Sequence, residues 1–287
     1  MKALAELRHF PKFVKLSHSV FALPFGLAAL LLAARGFPGW RTLSLVVGAV
    51  ITARFAAMAF NRVADVKYDA LNPRTAGRHL PSGQMSLSTA WGLVAAGSLL
   101  FVGIAVSINE PAAWLSPVAL AIILGYSFTK RFTSLSHFWL GAALALAPLG
   151  AWISVRNELA DPVPWLLALA VMLWVAGFDM IYALQDEAFD RTHGLHSMVV
   201  SLGPSKTLIL VLVLHLAMLG MLLGIGILLR AGTPYFLGLL VVAASLAWEQ
   251  WLIRQPDPAK LQLAFLQANA LASFGYLAAV TAEIFLR

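Results

Sequence analysis

The segment that decides the fold is KTLILVLVLHLAMLGMLLGIGILL, residues 206–229, in which only Lys206 and His215 are titratable. A helix of this length spans the hydrocarbon core of a bilayer, which takes roughly 20 apolar residues. Comparable runs recur along all 287 residues, of which 60% are hydrophobic and only 11% are charged. They leave no room for a soluble domain, and the sequence therefore predicts an all-α, polytopic membrane protein.

Short polar breaks divide the chain into about nine predicted transmembrane helices, which we expect to form one bundle around a central cavity. Pro and Gly mark several breaks, such as residues 81–83 (PSG) and 256–258 (PDP), because they do not readily continue a helix. We treat residues 1–287 as one domain with two related halves, about 1–135 and 136–287. The predicted helices are residues 17–34, 43–68, 86–107, 113–129, 136–155, 162–186, 206–229, 233–252 and 262–286.

The distribution of Lys and Arg predicts the orientation of the bundle. Most of these residues fall on one face, and positively charged loops favour the cytoplasm. The N-terminus is therefore predicted to be cytoplasmic, with residues 1–20 forming an interfacial helix. We attribute the net charge of +7 to this orientation and to contacts with membrane lipid, not to nucleic-acid binding. The chain has no cysteine, which excludes thiolate metal sites and thiol catalysis.

A first cluster of polar residues, NRVADVKYD at 61–69, ends the second predicted helix. Asn61, Asp65 and Asp69 are four residues apart, so one face of the helix carries an amide and two carboxylates. Three oxygen-bearing side chains are thus predicted to point in one direction.

A second cluster, DMIYALQDEAFD at 179–190, ends the sixth predicted helix. Steps of three and four residues place Asp179, Tyr182, Asp186 and Asp190 on one helical face. An even number of predicted helices separates the two clusters, so both emerge on the same side of the membrane. We therefore expect them to share one site.

Carboxylates grouped in this way indicate bound cations. Like charges are costly to bury together, and carboxylate and amide oxygens suit Mg²⁺, which is commonly held together with substrate phosphates. Basic residues that can bind diphosphate oxygens lie on the same predicted face. They are Arg74, Arg78, Lys130 and Arg131. The sequence therefore predicts a diphosphate site bridged by Mg²⁺, with Tyr126, Tyr182 and Phe128 facing the allylic cation that remains when an isoprenoid loses its diphosphate.

Three motifs in this order resemble the UbiA superfamily of intramembrane aromatic prenyltransferases, and the resemblance covers essentially the whole chain. Residues 72–83, NPRTAGRHLPSG, are also similar to a loop of that family. The motifs are NxxxDxxxD at Asn61, Asp65 and Asp69, YxxxK at Tyr126 and Lys130, and DxxYxxxD at Asp179, Tyr182 and Asp186.

The resemblance implies a role for each site residue. The implied catalytic residues are Asp65, Asp186, Lys130 and Tyr126. The implied ligands of Mg²⁺ are Asn61, Asp65, Asp69, Asp186 and Asp190. The implied diphosphate contacts are Arg78, Lys130 and Arg131, to which the basic loop adds Arg74. Arg54, Asp179 and Tyr182 are expected in the substrate cavity.

Arg54 lies two turns before Asn61 on the same helix face. A cation buried at this depth needs a partner. The sequence leaves two candidates for this partner: a carboxylate on the aromatic acceptor, and Asp179.

The expected reaction is the Mg²⁺-dependent transfer of a polyprenyl group from polyprenyl diphosphate to 4-hydroxybenzoate or a related hydroxynaphthoate, with release of diphosphate. Residues 15–25, KLSHSVFALPF, are similar to a subgroup that serves ubiquinone or menaquinone synthesis. The resemblance further implies a bacterial-type inner or plasma membrane and a site that faces the cytoplasm.

Other acceptors in the superfamily are alternatives: haem, chlorophyll precursors, homogentisate and glycerol lipids. A transporter of ions is the rival from another class, since helix-borne carboxylates also mark ion pathways. The position of the carboxylates at helix ends, beside basic loops, favours a transferase.

Overall fold

The computed structural model describes residues 22–254 and 258–286, which form α-helices and connecting turns without a β-strand in these ranges. Eight helices are long and apolar enough to cross a membrane, by length and composition. The helices are α1 (Ala22–Ala34), α2 (Trp40–Ala64), α3 (Val66–Leu71), α4 (Leu87–Ile108), α5 (Glu110–Thr129), α6 (Ser136–Arg156), α7 (Pro162–Ala183), α8 (Glu187–Thr192), α9 (Met198–Leu202), α10 (Pro204–Leu228), α11 (Thr233–Leu252), α12 (Pro258–Leu263) and α13 (Asn269–Leu286).

The predicted all-α membrane architecture is confirmed, and two helices end a few residues before their predicted ends, within the margin of roughly two to four residues of such boundaries. The second predicted helix was drawn to residue 68, but α2 ends at Ala64 and α3 follows a break at Asp65. The sixth was drawn to residue 186, but α7 ends at Ala183 and a 3₁₀ turn leads into α8. At each of the two breaks a carboxylate pairs with an Arg from another part of the chain: Asp65 with Arg131, and Asp186 with Arg74.

The first predicted helix, residues 17–34, is described from Ala22 onward as α1. Its start and the predicted interfacial helix over residues 1–20 lie outside the described ranges. The count of nine spans and the orientation of the N-terminus therefore stay predictions.

Capping residues decide where several helices begin. The side chains of Ser86, Asn109 and Asp161 each accept a hydrogen bond from a backbone N–H in the first turn of α4, α5 and α7. Such caps satisfy donors that have no partner within the helix. Pro162 and Pro204 occupy first positions, where their missing N–H costs nothing. The cap at Asn109 explains why α5 begins at Glu110, before the predicted residue 113.

The centre of the bundle is α7, which packs against α6 and α10 and buries most of its side chains. Trp174 is fully buried at its middle, and its ring lies 5.0 Å from that of Phe25. Trp174 also donates a hydrogen bond of 2.7 Å to Asn269 at the start of α13. Helices distant in sequence are thus joined around α7.

Exposed tryptophans stand at both ends of the spanning helices. Tryptophan prefers the two interfaces of a membrane, where its ring is half in lipid and its N–H meets water. Trp40, Trp114 and Trp165 lie at one end of the bundle, and Trp91, Trp139 and Trp251 lie at the other. The two belts agree with an integral membrane protein whose polar pocket, described below, opens at the second end.

Gly141 permits the close crossing of α6 and α7, and we expect Gly141→Ala to destabilise the protein. An added Cβ would lie 2.3 Å from the carbonyl oxygen of Met172. Because this neighbour is backbone, the helices must separate, at a cost of about 1–3 kcal/mol. The check is the thermal unfolding midpoint in detergent, which should fall. Gly150→Ala is the matched control on the same helix, since no atom of the described residues lies within 4 Å of its added Cβ. Equal midpoints for the two variants would contradict the prediction.

Candidate active site

A polar pocket of about 170 Å³ lies where the ends of α2 and α7 meet. The predicted site residues line it, with the exception of Arg54 and Phe128. The two clusters that the sequence placed on one face are therefore brought together, although more than 100 residues separate them.

The first cluster is held by Arg side chains. Asn61 donates a hydrogen bond of 2.9 Å to Asp65, and Arg131 lies 3.7 Å from the same carboxylate. Arg78 donates to both oxygens of Asp69, at 2.6 and 2.8 Å. Each carboxylate of this cluster thus has a guanidinium partner.

Arg62 is a second cation beside Asp69, at 3.8 Å. It was missed by the sequence reasoning, which treated it only as one of many positive residues on the cytoplasmic face. The sequence signal that could have identified Arg62 as a site residue is its position, one residue after Asn61. Asp69 is therefore placed between two Arg residues.

Arg74 joins the second cluster to the loop after α3. Its guanidinium donates to both oxygens of Asp186 and, at 2.7 Å, to the hydroxyl of Tyr182. Asn72 adds a hydrogen bond of 3.2 Å to Asp186. The contribution of Asn72 was not foreseen, since nothing in the sequence marks it apart from the turn it begins.

Lys130 lies between carboxylates of both clusters. Its Nζ is 3.8 Å from Oδ2 of Asp190, which is buried and accepts no hydrogen bond from the described residues. Burial opposes the charge of Lys130, but Asp190, Asp179 and Asp186 outweigh it and raise its pKa above the usual value. Lys130 is therefore held as a cation.

The electrostatics of the pocket favour the capture of further positive charge. Burial raises the pKa of Asp65 to about 6, and the charge of Asp69 adds to this, while Lys130 and Arg131 act in the opposite direction. With this pKa, Asp65 gains a proton more readily than an exposed Asp does. A divalent cation bound beside it would stabilise the ionised carboxylate in place of that proton.

The described residues contain no group of three or more Asp, Glu or His side chains already arranged around a metal position. The donor set nevertheless fits Mg²⁺. Carboxylates from both clusters border one small pocket, they supply the oxygens that this ion prefers, and Oδ2 of Asp190 has no hydrogen bond to give up.

An apolar cavity of about 530 Å³ adjoins the polar pocket. Its walls come mainly from α2, α4, α5, α6 and α7, and it extends toward the opposite end of the bundle. Five residues line both spaces: Asn61, Arg78, Tyr126, Asp179 and Tyr182. The two spaces together suit an amphiphile with an anionic headgroup and a hydrocarbon tail.

Arg54 lies in the wall of the apolar cavity. Its Nε is buried without a hydrogen bond, and no carboxylate of the described residues lies within 4 Å. Asp179, the internal partner that the sequence left open, is instead bonded to His137 at 2.6 Å. The structure therefore does not pair Arg54 with Asp179.

The aromatic wall of the cavity differs from the prediction. Phe128 lines neither space, because it is partly exposed, lies under the Arg131 guanidinium and packs against Phe60. Phe178 and Phe265 line the cavity instead, and the Phe265 ring lies 4.7 Å from that of Tyr182.

Phe265 owes its position to a π-helical turn, Ala264–Ala268, which precedes α13. The side chain of Asn269 donates to the carbonyls of Ala264 and Phe265, at 3.2 Å each, and accepts from Trp174. This anchoring depends on contacts between distant helices, so no local sequence signal marks it.

The fold and the site together define a class: membrane-embedded helical enzymes with a charged pocket at one end of an apolar substrate cavity. The chain belongs to the UbiA prenyltransferase family, whose model matches residues 22–274. The protein is therefore an integral membrane prenyltransferase.

Individual relatives agree with this assignment over most of their length. The chain is 34% identical over 259 residues to a protein named 4-hydroxybenzoate octaprenyltransferase from Pseudomonas aeruginosa, covering 90% of this chain and 86% of that one. The apo structure of a UbiA homolog from Aeropyrum pernix K1 is 34% identical, with a TM-score of 0.80 and coverage of 94% and 97%.

A more distant structure shares the fold. The UbiA homolog from Archaeoglobus fulgidus that was solved with DMAPP and Mg²⁺ bound is 17% identical, with a TM-score of 0.72 and coverage of 95% and 99%.

Proposed function

We propose that this protein transfers a polyprenyl group from polyprenyl diphosphate to the ring of a small aromatic carboxylic acid, with 4-hydroxybenzoate as the first candidate and a hydroxynaphthoate as the second. The observation that carries the proposal is the junction of the two spaces. A diphosphate in the polar pocket leaves its isoprenoid in the apolar cavity, where no carboxylate of the described residues lies within 4 Å of Arg54.

The chemistry of the polar pocket is the loss of diphosphate. Arg78, Lys130 and Arg131, with Arg74, bind the diphosphate oxygens, and these fixed cations favour the charge that develops as the carbon–oxygen bond breaks. Asn61, Asp65, Asp69, Asp186 and Asp190 are the residues that would hold Mg²⁺. Bound Mg²⁺ supplies further stabilisation of the leaving diphosphate.

The cavity receives the carbon fragment. Tyr126, Tyr182, Phe178 and Phe265 present aromatic rings and exclude water from the allylic cation, which water would otherwise capture. The roles of Asp65, Asp186, Lys130 and Tyr126 as catalytic residues follow from this arrangement and stay predictions.

Two features of the chain support the pathway and the location. A relative that is 34% identical is named 4-hydroxybenzoate octaprenyltransferase, which supports the ubiquinone route, while the pattern at residues 15–25 keeps the menaquinone route as the alternative. The excess of Lys and Arg at the pocket end supports a site that faces the cytoplasm in a bacterial-type inner membrane. The division into halves at about residue 135 stays a prediction.

The test is a prenyl transfer assay in membranes, in which geranyl and longer polyprenyl diphosphates are offered with 4-hydroxybenzoate or dihydroxynaphthoate. Diphosphate release should require both substrates, and removal of divalent ions with EDTA should abolish it until Mg²⁺ is restored. The matched control is the same membranes with a neutral phenol as acceptor. Uptake of tracer ions without either substrate, and no prenylated product, would favour the transporter instead.

A further inference from the structure

Asp179 differs from the other carboxylates of the polar pocket. Asp65, Asp69, Asp186 and Asp190 each lie within 4 Å of an Arg or Lys. Among the residues that the structure describes, the ionic partner of Asp179 is the imidazole of His137, with 2.6 Å between Nδ1 and Oδ2. This carboxylate is therefore held by a group that need not carry a charge.

The location of Asp179 is also distinct, because it lines both the polar pocket and the apolar cavity. Its charge acts electrostatically on Tyr126 and Lys130. The junction is where the first carbon of an isoprenoid would meet an acceptor ring. Asp179 thus lies beside the bond that the proposed reaction forms.

His137 is suited to fix the orientation of Asp179. An ionised carboxylate only accepts hydrogen bonds, so Nδ1 of His137 carries the proton. Its ring is fully buried, and Nε2 has no hydrogen-bond partner among the described residues. Asp179 therefore lacks the Arg or Lys partner within 4 Å that each of the other four carboxylates has among the described residues.

We propose that Asp179 is the base that takes the ring proton of the acceptor, with His137 as the residue that positions it. The inference rests on the proposed function. The carbon–oxygen bond to diphosphate breaks first, and a ring carbon then bonds to the first carbon of the resulting allylic cation. The same ring carbon then holds both a hydrogen and the isoprenoid. Its C–H bond breaks, the electron pair restores the aromatic ring, and the proton passes to Asp179, from which water in the polar pocket removes it.

The test is the kinetic isotope effect with 4-hydroxybenzoate deuterated at the two ring positions beside the hydroxyl. In the unmodified protein we expect little effect, since loss of diphosphate limits the rate. In Asp179→Asn we expect kcat to fall by about 100-fold or more and a clear primary isotope effect to appear, because proton removal becomes limiting. Binding of polyprenyl diphosphate should be retained, and it reports on folding.

His137→Asn provides the second variant. We expect a smaller loss, about 10–100-fold in kcat, again with a primary isotope effect, which a purely structural role would not produce. Asp161→Asn is the matched control: Asp161 caps α7 at the far end, Asn caps equally well, and neither rate nor isotope effect should change.

The outcomes separate the inference from the function it rests on. Transfer by the unmodified protein, together with wild-type rates or no isotope effect in both variants, would overturn the inference and leave the diphosphate as the proton acceptor. No transfer by the unmodified protein with any aromatic acid would overturn the proposed function itself. If Asp179→Asn does not fold, the isotope effect in His137→Asn decides.

Discussion

Asp65→Asn and Asp186→Asn should each lower prenyl transfer by about 100-fold or more while the protein remains folded. Each change keeps the shape of the side chain but removes a negative oxygen from the polar pocket. Asp65 belongs to the first cluster that lines this pocket, and Asp186 belongs to the second. A residual activity that requires more Mg²⁺ is expected, because the lost oxygen is a proposed ligand. The measurement is product formation against Mg²⁺ concentration in membranes or detergent.

Glu187→Gln is the matched control for this prediction. Glu187 directly follows Asp186, but it pairs with Arg191 and lines neither the polar pocket nor the apolar cavity. Loss of this ion pair, which is partly exposed, should have little effect on turnover or folding. Full activity in Asp65→Asn or Asp186→Asn would contradict the metal assignment.

Arg54→Leu should remove the preference for a carboxylate on the acceptor. The expected loss with 4-hydroxybenzoate is about 30-fold or more in kcat/KM, since truncating one partner of a desolvated charge pair costs roughly 2–5 kcal/mol. Stability should be retained, because no carboxylate of the described residues lies within 4 Å of the guanidinium, and removing it from an apolar wall relieves a desolvation cost.

The acceptor pair 4-hydroxybenzoate and 4-hydroxybenzamide makes this test specific. The unmodified protein should favour the acid, and Arg54→Leu should use the two acceptors at similar rates. Arg41→Leu serves as the control cation, since Arg41 is bonded to a backbone carbonyl at the other end of α2 and lines neither space. An unchanged preference for the acid in Arg54→Leu would place the acceptor carboxylate elsewhere.

The positions of the site residues could be predicted well because their spacing is local. Asn61, Asp65 and Asp69 follow one helix face, and the helical repeat alone decides their direction. The same reasoning failed for Phe128, which the motif region placed near the cation but which packs on the outside of the pocket. An aromatic residue near a motif has no period that indicates which side of the helix meets a substrate.

By itself, the sequence determined the membrane class, the approximate spans and the two carboxylate clusters, because hydrophobic length and helical spacing are properties of short segments. The tertiary structure decided which charges pair. Arg74 is hydrogen-bonded to Asp186, which lies 112 residues later in the sequence, and His137 is hydrogen-bonded to Asp179, which lies 42 residues later. It also placed Phe265 in the cavity through the turn anchored by Asn269. Such contacts depend on how helices pack around α7, and packing is decided by many distant side chains together, which no local pattern encodes.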